Sequence, residues 1–387
     1  MEPPVNCSYP HFTDRVIRPV GAESLHLTLA AIGILGNGLV FILFLRLPIL
    51  RVNTTNIFLF NLAIADFCSS VFLAIRPYAF ALNPENIVWN ELVCRFFKSD
   101  FPLWTCVTAS IYNLLLVTFD RYLCVVKPFI YRRYFTVPRI RLMVALCWIF
   151  SAILETFCFY STRVNACGRC EIYWSSVTLQ IVCAFGVFFT TYLFPTVVML
   201  FVYGRIVKTL KEREEALKNH QQRAAAASLL RTRRNIVTML QLLVLMFGLL
   251  WAPNQILFLV ISFPGVTADI ESIGYTILVA VGFLNCVVNP FVYAFKNPKF
   301  RKGFITVICC RRGHSISPSD FNGSGGDDSL TVNSNKVTVS VVKQSAIVAS
   351  QKEFAGQLNH VRFEDQMEIQ GRPPSVKTDR ASDILEE

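Results

Sequence analysis

Apolar residues along the chain gather into seven runs, at about 25–45, 56–75, 96–126, 140–160, 177–207, 235–263 and 270–295. Each is close to the roughly 20 residues that a helix needs to cross a bilayer. The longer runs carry polar interruptions, which suits helices with one face turned to a bundle and the other to lipid. Short connections such as 46–53 force neighbouring helices to run antiparallel. The pattern predicts an all-α membrane protein, a seven-transmembrane helix bundle over 25–312, with residues 1–24 outside it. Beyond about Gly313 the chain turns polar and rich in serine and glycine ("SPSDFNGSGGDDSLTVNSNK"), so 313–387 reads as a disordered tail.

Composition agrees. Of 387 residues 53% are hydrophobic and 16% charged, against about a quarter charged in soluble domains, and the mean hydropathy is +0.46. The first 24 residues hold Pro3, Pro4, Asp14, Arg15 and Arg18 and no apolar core of a cleavable signal, so the first span is expected to direct insertion. Basic residues crowd the connections after spans one, three and five (Arg46, Arg51; Lys127, Arg132, Arg133, Arg139; Lys208 through Arg234) and after span seven (Lys296 through Arg312). Arg15, Arg18, Arg163 and Arg169 are the sparser set on the other side. By the positive-inside rule the N-terminus is extracellular and the tail cytosolic at the plasma membrane. The net charge of +11 then reflects topology and attraction to anionic membrane lipid, and gives no support to nucleic acid as a partner. Asn6-Cys7-Ser8 is a glycosylation acceptor on the outer side, and Cys309–Cys310, beside basic residues on the inner side, form a palmitoylation site. Cys167–Cys170 is a C-x-x-C without the second pair or histidine of a zinc site. Most other cysteines read as small apolar packing residues.

An ionisable group at the bilayer centre costs roughly 2.5–3.5 kcal/mol, so it needs a partner or a task. Asp66 in "NLAIAD", Asn37 in "GILGNGLV" and Asn285 and Asn289 in "FLNCVVNPFVY" supply polar groups at similar depth. With Ser110 they could form an interhelical hydrogen-bond cluster or hold a cation or proton; the acid favours the ion. Pro195, Pro253 and Pro290 fall inside apolar runs, where each removes a backbone hydrogen bond and marks a kink or hinge.

One signature in each span, in order, carries a family resemblance: Asn37; Asn61 to Asp66; Asp120-Arg121-Tyr122; Trp148; Pro195 with Tyr203; Trp251-Ala252-Pro253; and Asn289-Pro290-Phe291-Val292-Tyr293. The set resembles the rhodopsin-like (class A) G-protein-coupled receptors over about residues 25–310, most similar to the peptide-type members. The resemblance implies that Asp120 pairs with Arg121 at rest. On activation span six swings outward and frees Arg121 for the heterotrimeric G protein, with Tyr203 and Tyr293 in support. It assigns a packing switch to Pro195, Ile111, Phe247 and Trp251. A sodium pocket is implied at Asp66, Ser110, Asn285, Asn289 and Trp251, with Cys286 at a place that is often serine. Phe300 and its basic neighbours resemble a short amphipathic eighth helix. Cys94 matches the cysteine bridged to the second outer loop, with Cys170 the preferred partner and Cys167 the alternative. The interval from Cys94 to Arg121 is longer than usual, which implies a bulge at the top of span three. Many members lock the arginine to an acid at the foot of span six. That position is Arg233 here, so the lock is absent and raised basal activity is expected.

For the ligand, opsins carry a lysine where Phe283 stands, and amine receptors an aspartate where Leu103 stands, 18 residues before Arg121. With those classes set aside, a peptide is the first reading and an acidic small molecule or lipid the second. An orphan, constitutively active receptor remains open. Arg76 is the most informative residue, since a guanidinium suits a carboxylate, although a snorkelling arginine would look the same. Helical position puts Arg76, Lys98, Asp100, Leu103, Asn254, Gln255, Phe258, Glu271 and Tyr275 around the outer cavity. Residues 208–234 have helical propensity, with Glu214 and Lys218 spaced for an ion pair, and read as the G-protein docking surface. Ser315, Ser317, Ser319 and Thr338 are expected targets of receptor kinases for arrestin recruitment. No cofactor is expected apart from an allosteric sodium ion. A transporter would show internal repeats and an enzyme a nucleophile–base pair or metal cluster; the sequence presents neither.

Overall fold

A bilayer offers no water to backbone N–H and C=O groups, so each apolar run closes its own hydrogen bonds as a helix. The computed structural model describes residues 20–47, 54–76, 86–166, 168, 170–218, 223–266, 273–296, 300–301 and 303–305. Seven of its helical segments are long and apolar enough to cross a membrane. Spans one and two are α1 (Val20–Arg46) and α2 (Thr54–Ile75). Span three comprises α3 (Ile87–Leu92), a π-helical turn (Val93–Lys98) and α4 (Phe101–Val126). The short α5 (Pro128–Tyr134) leads to span four, which is α6 (Val137–Leu154) and α7 (Thr156–Tyr160). Strands β1 (Thr162–Val164) and β2 (Cys170–Ile172) form an antiparallel hairpin with Arg163 opposite Glu171. Span five is α8 (Val177–Val187), a second π-turn (Phe188–Leu193) and α9 (Phe194–Lys218). Spans six and seven are α10 (Arg223–Ile261) and α11 (Ile273–Lys296).

Span three is the central strut. Its most apolar stretch is 72% buried, against 22% for span four and 17% for span five, which face outward. It begins at Ile87, not near residue 96. The polar residues that hid its first turns from an apolar count are in use: Asn86 caps α3 by accepting from the Trp89 amide at 2.9 Å, and Glu91 takes Arg95 at 2.6 Å and the Val164 amide at 3.3 Å. The long interval between Cys94 and Arg121 is absorbed by the π-turn and by Asp100, which adopts a left-handed conformation (φ 59°) where α4 restarts. Cys94 is bonded to Cys170 with Cα atoms 5.4 Å apart, fastening the hairpin to the π-turn.

The other interruptions also have local causes. The π-turn in span five ends two residues before Pro195, which has no N–H to give. Thr190 and Thr191 there donate to the carbonyls of Gly186 and Val187 at 2.7 and 2.8 Å. Span four breaks at Glu155, a buried acid that accepts a 2.5 Å hydrogen bond from Thr108. Phe300 and Phe304 are buried, with Phe300 packed on Phe44 and Tyr293 at ring separations of 5.6 and 5.5 Å. The described helical residues 300, 301 and 303–305 thus occupy the place expected of the eighth helix.

Helices α1 and α2 meet closely at Gly33, where a Cβ would lie 2.2 Å from Ser70 Oγ. Ser70 is itself tied to the Asp66 carbonyl at 2.7 Å, so it cannot yield without loss. A Gly33→Val variant is expected to be destabilised by about 1–3 kcal/mol, the usual cost of overpacking. The check is a lower unfolding temperature of the purified protein; an unchanged value would show that the two helices can part freely.

Candidate functional site

Three polar clusters lie along the bundle axis. Near the C-terminal end of α4, Arg121 Nε and Nη2 donate to Asp120 Oδ2 at 2.9 and 2.6 Å. Both side chains are buried, and Asp120 is 0% exposed. Removing two charges from water is costly unless each finds partners, and α2 and α5 supply them. Thr55 Oγ1 donates to Asp120 Oδ2 at 2.7 Å and Thr54 Oγ1 to Oδ1 at 3.4 Å. Arg121 Nη2 also meets the Thr55 hydroxyl, and Thr54 meets the Tyr131 hydroxyl. Burial, and after it the Asp120 charge, raise the Tyr131 phenol above its ordinary pKa, so it stays a neutral hydrogen-bonding group. Tyr203 and Tyr293 are buried, and the Tyr293 hydroxyl has no partner among the described residues. Tyr122 is half-buried.

Above this lies an aromatic column. Phe247 and Trp251, one turn apart on α10, are 0% and 1% exposed. Phe247 packs on Tyr192, and Trp251 on Trp104 and Phe283, all at ring separations of 6.2 Å. Ile111 is buried on α4, and Pro195 is the second residue of α9, just after the π-turn.

The second cluster surrounds Asp66. Ser110 donates to its Oδ1 at 2.7 Å and Asn289 to its Oδ2 at 2.5 Å, while Asn37 donates to the Cys286 carbonyl at 2.9 Å. Asn285 is buried, and Pro290 follows Asn289 within α11. The Asp66 carboxylate, the Ser110 hydroxyl and the Asn37 Oδ1, a buried oxygen with no partner among the described residues, are donors that suit a hard cation. The Cys286 sulfur is a softer neighbour and suits it less. On this donor set, sodium fits at Asp66 and Ser110.

The third cluster lies at the outer end. Arg76 Nη2 meets Asp100 Oδ2 at 2.8 Å in a recess lined by Phe72, Ile75, Phe97, Pro102 and Leu103. The helix break at Asp100 thus supplies Arg76 with an internal acid. Leu103 is 2% exposed. Asn254 and Gln255 are buried on α10, and Gln255 Oε1 and Trp251 Nε1, one turn apart, lack partners among the described residues. Phe258 and Tyr275 are half-buried and Lys98 is exposed on the π-turn. Asn6, Glu271, Cys167, Cys309, Cys310 and the tail serines and threonines lie outside the described residues, as does the Arg233 side chain, though its backbone belongs to α10. The pair between Glu214 and Arg234, 3.4 Å apart, is exposed and contributes little.

Sequence reasoning missed Thr54, Thr55 and Tyr131 as partners of the charged pair, and Glu155 with Thr108. Threonines at a loop edge carry no periodic signal. Glu155 could have been found as the one acid within the fourth apolar run.

Compared with known proteins, residues 36–293 match the 7 transmembrane receptor (rhodopsin family) profile. The Substance-K receptor of Mus musculus is 29% identical over 298 residues, covering 74% of this chain and 75% of its own. That of Homo sapiens is 29% identical over 295 residues, covering 74% and 72%. The 5-hydroxytryptamine receptor 4 of Homo sapiens is 27% identical over 335 residues, covering 79% and 84%. The profile spans well over half of the chain, its seven membrane helices are in place, and this protein belongs to the rhodopsin family of seven-transmembrane receptors.

Proposed function

We propose that this receptor binds an extracellular peptide through the outer end of the bundle and activates heterotrimeric G proteins through Arg121. The observation that carries the ligand class is Leu103. An apolar, 2% exposed side chain stands where amine receptors hold their ammonium-binding aspartate, while Arg76, Asp100, Asn254 and Gln255 offer the mixed polar surface that a peptide needs. The likeness to Substance-K receptors supports this reading over the likeness to an amine receptor. A G-protein activation panel with pooled free-acid and amidated peptides tests it. A saturable response to a peptide fraction is expected, and a response to biogenic amines alone would overturn it. The distribution of basic residues supports an extracellular N-terminus. Kinases and arrestin acting at the tail, and anionic lipid along the inner face, complete the proposed partners.

A second reading, raised basal activity, rests on Arg233 at the foot of α10. Many family members carry there an acid that would hold Arg121 at rest, and this chain does not. Arg233→Glu is expected to lower unstimulated signalling severalfold; equal signalling would remove this reading. For Asp66 and Ser110 we propose a sodium ion that favours the resting state, weakened by the Cys286 thiol. Cys286→Ser should strengthen the inhibition of basal signalling by sodium relative to choline. Sodium insensitivity in both forms would leave the cluster as interhelical glue.

A further inference from the structure

Asp100 is the one non-glycine residue with a left-handed backbone among the described residues, and it stands at the N-cap of α4 without capping it. Ser99 takes that role for the first amide, its Oγ accepting from Phe101 N at 3.2 Å. The Asp100 carboxylate instead reaches Arg76 at 2.8 Å and is 11% exposed, while the guanidinium is 26% exposed. Around them the recess is apolar and aromatic: Phe72, Ile75, Phe97, Pro102 and Leu103. The receptor thus fills its own guanidinium site with its own acid.

We propose that Asp100 is an internal stand-in for an acidic group of the ligand, and that a ligand carboxylate displaces it from Arg76. This deepens the receptor reading above and rests on it. The choice of an anion over a cation follows from where each displaced partner could go. A released Asp100 sits at the position whose side chain normally serves the amide three residues on, here Leu103, and the positive end of α4 favours its charge. A released Arg76 would stand over apolar side chains, since among the described residues lining the recess only Asp100 carries a side-chain acceptor, and that is an expensive outcome for a charge. Capping also calls for an extended backbone at Asp100, so displacement would release the left-handed conformation. That change moves the π-turn, with Cys94 and the hairpin bonded to it, relative to α4. Acid recognition is thereby tied to movement of the central helix.

The test uses purified full-length receptor and a named probe, N-acetyl-L-phenylalanine, whose carboxylate suits Arg76 and whose ring suits Phe72 and Phe97. Its amide is the control. Saturable binding is read by thermal stabilisation of wild type, Asp100→Asn and Arg76→Gln/Asp100→Asn; asparagine tolerates the left-handed conformation. If the internal pair is closed in about nine molecules of ten, Asp100→Asn binds the acid about tenfold more tightly than wild type. The amide should gain nothing, and the double variant should lose the gain. Equal affinity of wild type and Asp100→Asn, an equal gain with the amide, or no saturable binding to Asp100→Asn would each overturn the proposal. The peptide reading is judged separately, on wild-type signalling. A tenfold gain here without any peptide response would keep the acid site and reject the peptide.

Discussion

Replacing Asp120 with asparagine is expected to raise ligand-independent G-protein activation severalfold. In the structure the Arg121 guanidinium is held through two nitrogens on one carboxylate oxygen, at 2.9 and 2.6 Å. Removing one partner of a buried pair costs about 3–5 kcal/mol, because the remaining charge is left without compensation. Asparagine keeps one oxygen, enough for Thr55 or Thr54 but not both, and loses the charge, so the larger cost falls on Arg121. The arginine's way of lowering it is to turn toward the cytoplasmic opening, where water or a G protein receives it. A shift of about 1.4 kcal/mol between resting and active states already changes their ratio tenfold. The same loss should lower the unfolding temperature, so signalling must be normalised to receptor at the cell surface. Basal activity equal to wild type after that correction would mean that the Asp120–Arg121 pair does not hold the resting state.

The second large effect is expected at the outer end. Cys94→Ser should remove most of the receptor from the cell surface. The disulfide joins positions 76 apart in sequence, and cross-links over such loops typically stabilise by about 2–4 kcal/mol. The bilayer already restrains the chain on both sides of this loop, which reduces the entropic part. The hairpin has few other ties, however: β1 and β2 are three residues each, Val164 and Thr162 make single hydrogen bonds to Glu91 and Cys158, and the ion pair of Arg163 with Glu171 is only half-buried. Cys170→Ser should match Cys94→Ser, and the double variant should add nothing further, since each removes the same bond. Normal surface expression of Cys170→Ser beside loss of Cys94→Ser would assign the partnership to another cysteine.

Seven apolar runs made the spans legible, because lipid forces each run to be a helix whatever its details. The charged pair, the Asp66 cluster and the three prolines could be picked out for the same reason: polar or helix-breaking residues are conspicuous in an apolar background. What could not be read were features set by contacts between helices. The start of span three was hidden because Asn90, Glu91 and Arg95 look like loop residues until their partners are known. The π-turn in span three could be anticipated only from the long interval to Arg121, without its position. The pairing of Arg76 with Asp100 depends on a left-handed residue at a helix break, and no periodic pattern announces one. Nor do Thr54, Thr55 and Tyr131 stand out, although together they keep the buried pair satisfied.

Guanine-nucleotide exchange on purified heterotrimeric G proteins, with full-length receptor in lipid nanodiscs, tests the central claim most directly. Each major G-protein class would be assayed with wild type and with Arg121→Ala. Wild type is expected to accelerate exchange on at least one class over the receptor-free rate, with a further increase on adding an active peptide fraction. Arg121→Ala should lose most of that acceleration while remaining folded. Exchange equal to the receptor-free rate for every class, or acceleration that survives in Arg121→Ala, would contradict the account.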